Sequence, residues 1–247
     1  MNEASPPAAP ASDRVRLRRV HHRGHYDRAS LDAVLDAGQV CHLGFATPEG
    51  PYVIPTLYWR EGDHVYFHGS SASRTLRGLA DGLQVCLTVS LIDGLVLARS
   101  GFHCSVNYRA AMLFGHAELV SDPAEVTARM KTFVDGLVPG QWDRLRPVTD
   151  QELKATKLLR LKIDEASAKI RTGGPLDDEE DYALPIWAGV VPMETRYGAP
   201  IPDPRNLAET PMPDAIAALQ GQPVNPMPEG WEPPVDTHGA VKADPDA

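Results

Sequence analysis

The sequence predicts one barrel-like domain of the mixed α+β class, mainly β, with roughly six to eight antiparallel strands and a few peripheral helices. Three observations predict this class. Short runs of β-branched, aromatic and apolar residues recur through the middle of the chain. Turn signals containing glycine join neighbouring runs, as in hairpins. Helical patterns lie between runs that are not neighbours, and the 247 residues are 43% hydrophobic, which is enough for a sizeable core.

Residues 1–26 are predicted to form a flexible arm ahead of this domain. Its first part, 1–12, is rich in proline and alanine, which favours disorder. The stretch Arg14–His25 is strongly basic, and we interpret it as an arm that packs on an otherwise acidic protein. Its histidines lack a spacing that would fix metal ligands, so no metal site is expected. Asp27 or Ser30 is predicted to cap a short helix that ends at Gly38.

A three-stranded meander follows and organises the rest of the chain. Its strands are predicted over Val40–Ala46, Tyr52–Trp59 and His64–His68. The turns Thr47–Gly50 and Glu61–Asp63 separate them, and the glycine in each supplies the positive φ that tight hairpins need.

The loop after the third strand is small, rich in hydroxyl groups and basic. It reads HGSSASR from His68 to Arg74, and a helix is predicted over Ser71–Gly82. Small residues let backbone N–H groups approach an anion, and an arginine can bind two phosphate oxygens at once. We therefore expect a phosphate-bearing cofactor where this strand meets the helix. The alternative for Arg74 is a surface ion pair with an acidic residue.

The remaining elements follow from the same patterns. Five further strands are predicted, over 84–91, 95–100, 106–120, 158–163 and 166–171. Asp93 and Gly94 are expected to form a turn, and Gly115 a bend or bulge. A helix is predicted to begin at Asp122, with proline at its first position, and a short helix over 152–157.

The composition of the chain excludes several classes of function. The formal net charge is −9, which argues against a nucleic-acid partner. No apolar run approaches the roughly 18 residues of a membrane span, so no membrane association is expected. The cysteines at 41, 86 and 104 lie in predicted apolar strands and indicate free thiols in the cytoplasm. The domain is expected to span 27–192, and 193–247 to form an extended proline-rich tail.

Seven segments together resemble the pyridoxamine 5′-phosphate oxidase-like flavoproteins, and in particular the flavin-nucleotide-binding branch that includes the 5-nitroimidazole resistance proteins. They are RGHYDRAS, PYVIPTLY, VYFHGSSASRTLR, DGLVLARS, SVNYRAAMLFGHAELV, ELKATKLL and EDYALPIWAGV. The resemblance covers about Arg23 to Val191. It implies a split β-barrel that forms a homodimer, with FMN bound in a groove between the two subunits.

The resemblance also implies site residues. The second strand of the meander runs under the flavin, which corresponds to Ile54, Pro55, Thr56 and Leu57. The loop after the third strand holds the ribityl phosphate, which corresponds to His68, Gly69, Ser70, Ser73 and Arg74. Arg109 is a further expected flavin contact, with a structural salt bridge as its alternative. His68 is expected to face the flavin ring as the catalytic proton donor; the alternative is a structural histidine bonded to a carbonyl group.

The function implied is an FMN-dependent oxidoreductase that reduces a small electrophilic substrate, such as a nitro compound. The alternative is a non-catalytic carrier or sensor that binds flavin or haem, with His68, His103 or His116 as axial ligand. Some branches of the family use cofactor F420. The region 176–181 is acidic where a vitamin B6 oxidase carries a basic motif, so oxidation of pyridoxamine phosphate is not expected.

Overall fold

Ten strands form one antiparallel sheet that curls into a half-barrel in the computed structural model, which describes residues 8–232. The strands are β1 (Gly24–His25), β2 (Val40–Thr47), β3 (Gly50–Glu61), β4 (His64–Ser70), β5 (Gln84–Leu97), β6 (Ser105–His116), β7 (Glu118–Val120), β8 (Thr156–Lys162), β9 (Glu165–Arg171) and β10 (Gly189–Pro192). The helices are α1 (Arg28–Ala37), α2 (Arg74–Ala80), α3 (Pro123–Leu137), α4 (Asp150–Ala155) and α5 (Asp214–Ala217). The predicted α+β class is confirmed.

The strand order is β1-β9-β6-β5-β2-β3-β4-β8-β7, and β10 pairs with β5. β3 joins the two halves of the sheet, because its first part pairs with β2 while only Tyr58–Glu61 pair with β4. The core lies inside the curl and includes Leu43, Phe67 and Leu87, each at most 1% exposed. A second, smaller cluster of buried hydrophobic residues lies outside the curl, where α3 and α4 cover β4 and β8.

The local signals that define element ends are largely confirmed. The meander forms with both predicted turns. The Asp27 carboxylate caps α1 by accepting from the Ser30 N–H at 2.8 Å. The Asp122 carboxylate caps α3, and Pro123 occupies its first position. These signals were readable because each depends only on residues close in sequence.

Two glycine predictions, for Gly94 and Gly115, were wrong about the role of the residue. Gly94 makes no turn, because β5 runs on through it; a Cβ there would lie 3.0 Å from the Val191 carbonyl oxygen of β10. Gly115 is in regular register with Val85, and a Cβ there would meet Leu161 at 2.9 Å. Gly38 ends α1 as predicted, with an extended backbone, φ −85°, and a Cβ there would clash with Tyr58 and Val89. All three positions therefore need glycine for close packing.

The predicted extended tail is also corrected, because residues 193–232 fold back onto the domain. Tyr197 accepts a hydrogen bond from the Gln39 amide at 2.7 Å, and Trp231 packs against the core. The disorder predicted for 1–12 lies outside the described residues over 1–7, but Ser12 donates a hydrogen bond to the Glu165 carboxylate. The disorder predicted for the last part of the tail falls on 233–247, which also lie outside the described residues. None of the helices between residues 8 and 232 is long and apolar enough to cross a membrane.

The three cysteines are free thiols, but they do not share one environment. Cys41 is buried in β2, and burial raises its pKa to about 12. Cys86 is half-buried, and Cys104 is exposed in the turn before β6, not in an apolar strand as predicted.

Candidate functional site

The loop 69–73 joins β4 to α2 and is shaped by close packing and internal hydrogen bonds. Gly69 is required because a Cβ there would lie 2.8 Å from Leu76 of α2. The Ser71 N–H donates to the Ala155 carbonyl oxygen at 2.7 Å, which ties the loop to the start of β8. Ser73 caps α2 through its hydroxyl oxygen, which accepts from the Leu76 N–H at 3.4 Å. The loop is therefore built before any ligand binds.

This loop leaves several hydrogen-bond donors free. The Ser70 oxygen accepts from the Ala72 N–H at 3.2 Å, so its hydroxyl hydrogen remains available to an anion. The backbone N–H groups of Arg74 and Thr75 have no acceptor in the described chain. Together with the Ser71 hydroxyl, these groups form a donor-rich rim at the first turn of α2.

Three cations surround the loop without an acidic partner. Arg74 and Lys154 are exposed and Lys157 is half-buried, and none of them forms an ion pair with another residue of the range 8–232. Lys157 lies opposite Gly69 in the register of β8 with β4. A cavity of about 410 Å³ beside the loop is lined by Ser71, Lys154 and Lys157, among others. We call the loop 69–74 with these two lysines the anion cradle.

The lysines of the anion cradle were missed as site residues. Both lie in the segment ELKATKLL, which contributed only to the family resemblance. The missing information was the pairing of β8 with β4, which no pattern within the segment specifies. The structure shows that the two lysines form no ion pair among the described residues, although the protein has a net charge of −9. Such unpaired cations are the signal that indicates an anion site.

The expected flavin-contacting strand lies at the split of the half-barrel. The stretch Ile54–Leu57 of β3 pairs with β2 on one side only, because β4 pairs no further than Tyr58. Side chains alternate along a strand. Ile54 packs against the core, while Pro55 and Leu57 are exposed on the opposite face. The four residues therefore present two faces, and only part of the set can contact one ligand through side chains.

His68 lies in an aromatic cluster on the outer face of β4. Its ring centroid is 5.1 Å from that of Phe133 in α3 and 6.0 Å from that of Trp59. Tyr66 stacks on Trp59 at 5.6 Å and completes the cluster. The ring makes no hydrogen bond to any described residue, and its Nδ1 atom is buried. Burial lowers the pKa of His68, so the imidazole is neutral at physiological pH.

Comparison with known proteins identifies the family. Residues 27–170 match the family described as pyridoxamine 5′-phosphate oxidase. The chain belongs to this flavin-binding split-barrel family. The expected resemblance is thus confirmed. A comparison with functionally curated proteins gives no significant match.

Two solved structures resemble the chain over most of its length. The flavocytochrome Anf3 from Azotobacter vinelandii is 49% identical, with a TM-score of 0.83, covering 87% of this chain and 100% of that one. The FAD and haem binding protein from Mycobacterium smegmatis is 36% identical, with a TM-score of 0.78, covering 83% and 100%.

A third similar structure is that of a putative 5-nitroimidazole antibiotic resistance protein from Bacteroides thetaiotaomicron. It is 22% identical, with a TM-score of 0.51, over 60% of this chain and 86% of that one. At this identity the similarity supports the family fold and no more.

Arg109 is not part of the anion cradle. Its side chain is 2% exposed, and its guanidinium donates to the Asp93 carboxylate at 2.8 and 3.0 Å. It also donates to the carbonyl oxygens of Asn225 at 3.0 Å and Pro226 at 3.3 Å. The geometry therefore favours the structural alternative, in which this arginine fastens the folded-back segment 193–232 to the sheet.

His116 and His103, the other two candidate haem ligands, differ in the groups that surround their ring nitrogens. His116 is exposed, and its Nδ1 atom lies 2.9 Å from the Gly82 carbonyl oxygen. His103 lies in the loop between β5 and β6, with Asp177 and Asp178 on either side of its ring. Among the three, His68 is the one whose ring lies in apolar, aromatic surroundings, which suits a haem or flavin ring.

Proposed function

We propose that this protein is a flavocytochrome-like oxidoreductase that binds a flavin nucleotide by its phosphate and a haem through His68. The observation that carries the first part is the anion cradle, whose three cations form no ion pair within residues 8–232 although the chain has a net charge of −9. Unpaired cations beside free N–H groups favour a phosphate ligand. Arg74 and Lys157 would neutralise the phosphate, with the Ser71 hydroxyl and the Thr75 N–H as further donors.

FAD is our first choice of flavin, in place of the FMN expected from the sequence. The Mycobacterium smegmatis protein is described as binding FAD and haem, and the Azotobacter protein as a flavocytochrome. A flavin supplies one- and two-electron redox chemistry when it is bound. The electron acceptor would be a small molecule, and a nitro compound is one candidate within that class.

Three free thiols support a cytoplasmic location.

His68 fits a haem ligand on the chemistry of its ring. A haem iron binds a neutral imidazole, and burial holds this ring neutral. No described side chain or carbonyl group already occupies either nitrogen. The flanking rings of Trp59 and Phe133 exclude water and would pack against a macrocycle. The same imidazole would hydrogen-bond a flavin if the haem assignment is wrong.

We further propose a homodimer in which the outer face of β2 and β3 is covered by a second copy. Val40 and Leu57 are paired across these strands and are 45% and 42% exposed, and Val53 is 68% exposed. Contiguous apolar side chains of this kind are typical of protein interfaces. Light scattering of the full chain should give about twice the monomer mass of 26.9 kDa; a monomer at micromolar concentration would contradict the shared groove.

The proposed cofactors are tested by the absorption spectrum of the purified full chain, reconstituted with haem if necessary. We expect flavin bands together with a Soret band, and mass spectrometry of the released flavin should give FAD. His68→Ala should lose or shift the Soret band and keep the flavin. His116→Ala is the matched control and should keep both. An unchanged Soret band in His68→Ala would refute the ligand assignment, and a chain that binds no added flavin would refute the proposal.

A further inference from the structure

A second group of ligand-type side chains lies near the end of β5, on elements that the anion cradle does not use. It consists of His103, Asp178 and Asp181, each of which offers one ligand atom within 4.8 Å of the others. We propose that these three side chains bind a divalent zinc-type metal ion. The proposal goes beyond the proposed function, because no residue of the cradle or of the aromatic cluster takes part.

The imidazole of His103 has a carboxylate on each side. Its Nε2 atom lies 4.0 Å from an Asp178 carboxylate oxygen, which is too long for a hydrogen bond. Two ligands of a tetrahedral zinc ion, each about 2.0–2.2 Å from the metal, lie roughly 3.3–3.6 Å apart, so a small rotation of the Asp178 side chain would let one ion contact both atoms. On the other side, the buried Nδ1 atom has no hydrogen-bond partner, and the nearest carboxylate oxygen, from Asp177, is 3.8 Å away.

Asp177 is placed to orient this histidine. Its carboxylate is 0% exposed and accepts from the Arg99 N–H at 2.8 Å and from the Arg99 guanidinium at 3.0 Å. The Arg99 contacts hold the Asp177 carboxylate 3.8 Å from the Nδ1 atom of His103, a distance that a small rotation of the ring would shorten to a hydrogen bond. A carboxylate behind one ring nitrogen, with metal at the other, is the usual arrangement of a metal-bound histidine.

The two aspartate ligands are fixed relative to each other by a single turn of 3-10 helix, Glu179–Ala183. The Asp181 N–H donates to the Asp178 carbonyl oxygen at 2.9 Å, and residues three apart lie on the same side of such a helix. The Asp178 side chain is 72% exposed, so an ion can enter from solvent and keep water as a further ligand. The Arg99–Asp177 pair thus fixes one side of the site, and the other side is open to solvent.

The donor set selects the kind of ion. One imidazole nitrogen and two carboxylate oxygens suit zinc and neighbouring transition metals, whereas calcium and magnesium prefer oxygen ligands alone. The surrounding stretch 177–181 consists entirely of acidic residues, and Arg99 pairs with the first of them, Asp177. A divalent ion would therefore also relieve the repulsion among these carboxylates.

The test is zinc binding by the chelator-treated full chain, measured by isothermal titration calorimetry and by elemental analysis of zinc after gel filtration. We expect one zinc per chain in addition to any haem iron. His103→Ala and Asp181→Asn should abolish this binding. Glu180→Gln removes the same charge one position away and should leave it intact. Asp177→Asn should weaken zinc affinity by about 10–100-fold without changing the stoichiometry.

Three outcomes would overturn the proposal. The first is unchanged zinc binding in His103→Ala that has kept its circular dichroism spectrum. The second is an equal loss of zinc in Glu180→Gln and Asp181→Asn, which would indicate a general charge effect. The third is loss of zinc on changing His22 in the basic arm while His103→Ala still binds, which would assign the ion to the arm.

Discussion

Replacing Lys157 by methionine gives the sharpest test of the anion cradle. The change keeps the length and the apolar part of the side chain but removes the positive charge. Lys157 is half-buried, faces Gly69 across the β4–β8 pair and has no carboxylate partner in the described chain. The loss of flavin affinity should therefore report the contact with the phosphate, because no protein ion pair is broken at the same time.

The magnitude follows from the partial burial of Lys157. A hydrogen bond to a charged group contributes about 1.5–3 kcal/mol when it is shielded from water. Since 1.4 kcal/mol is about a tenfold change in Kd, Lys157→Met should weaken flavin binding about 10–100-fold. Arg74 is exposed, so Arg74→Ala should cost less, roughly 0.5–1 kcal/mol for a solvent-screened pair.

The assay is a titration of flavin-free protein with FAD, followed by quenching of flavin fluorescence at low and high salt. Lys162→Met is the control, because Lys162 is in the same strand but is paired with Asp164 at 2.9 Å. The control should bind as the wild type does. The salt dependence of binding should be weaker in Lys157→Met. Kd values within a factor of about two for both variants would refute the cradle as the phosphate site.

Three further predictions concern the fold and His68. Asp93→Asn should lower the free energy of unfolding, measured in urea, by about 3 kcal/mol, because it leaves the Arg109 charge buried without its partner. If the variant instead loses flavin while its stability is unchanged, Arg109 contacts the cofactor and the structural assignment is wrong. Gly38→Ala should destabilise by about 1–3 kcal/mol, since its Cβ would clash with the hydroxyl group of the buried Tyr58. Gly136→Ala, in a helix with open space around it, should not destabilise. Below about pH 6.5 the unfolded chain binds more protons at position 68 than the folded one, because burial lowers the pKa of His68. Cofactor-free protein should thus lose stability as pH falls, and His68→Phe should lose less; equal pH profiles would contradict this.

Short-range patterns in the sequence were sufficient for the order of the main elements and for the small, hydroxyl-rich composition of the loop after β4. The meander required only its two glycine turns, and the starts of α1 and α3 required only Asp27 and Asp122 as caps. Each of these features depends on residues within a few positions of one another. For the same reason the sequence predicted an anion site in the loop after β4 but not the lysines that approach this loop from α4 and β8.

The sequence by itself determined that the chain forms an antiparallel α+β fold with a small, donor-rich loop at the end of the third strand of the meander. Only the tertiary structure decided which charges remain free. Arg109 and the Pro226 carbonyl oxygen that it contacts are 117 positions apart, so no local pattern reveals that this arginine is already occupied. Strand register likewise brought Lys157 opposite Gly69. Register is set by burial on the whole sheet, and it therefore appears only when all strands are in place.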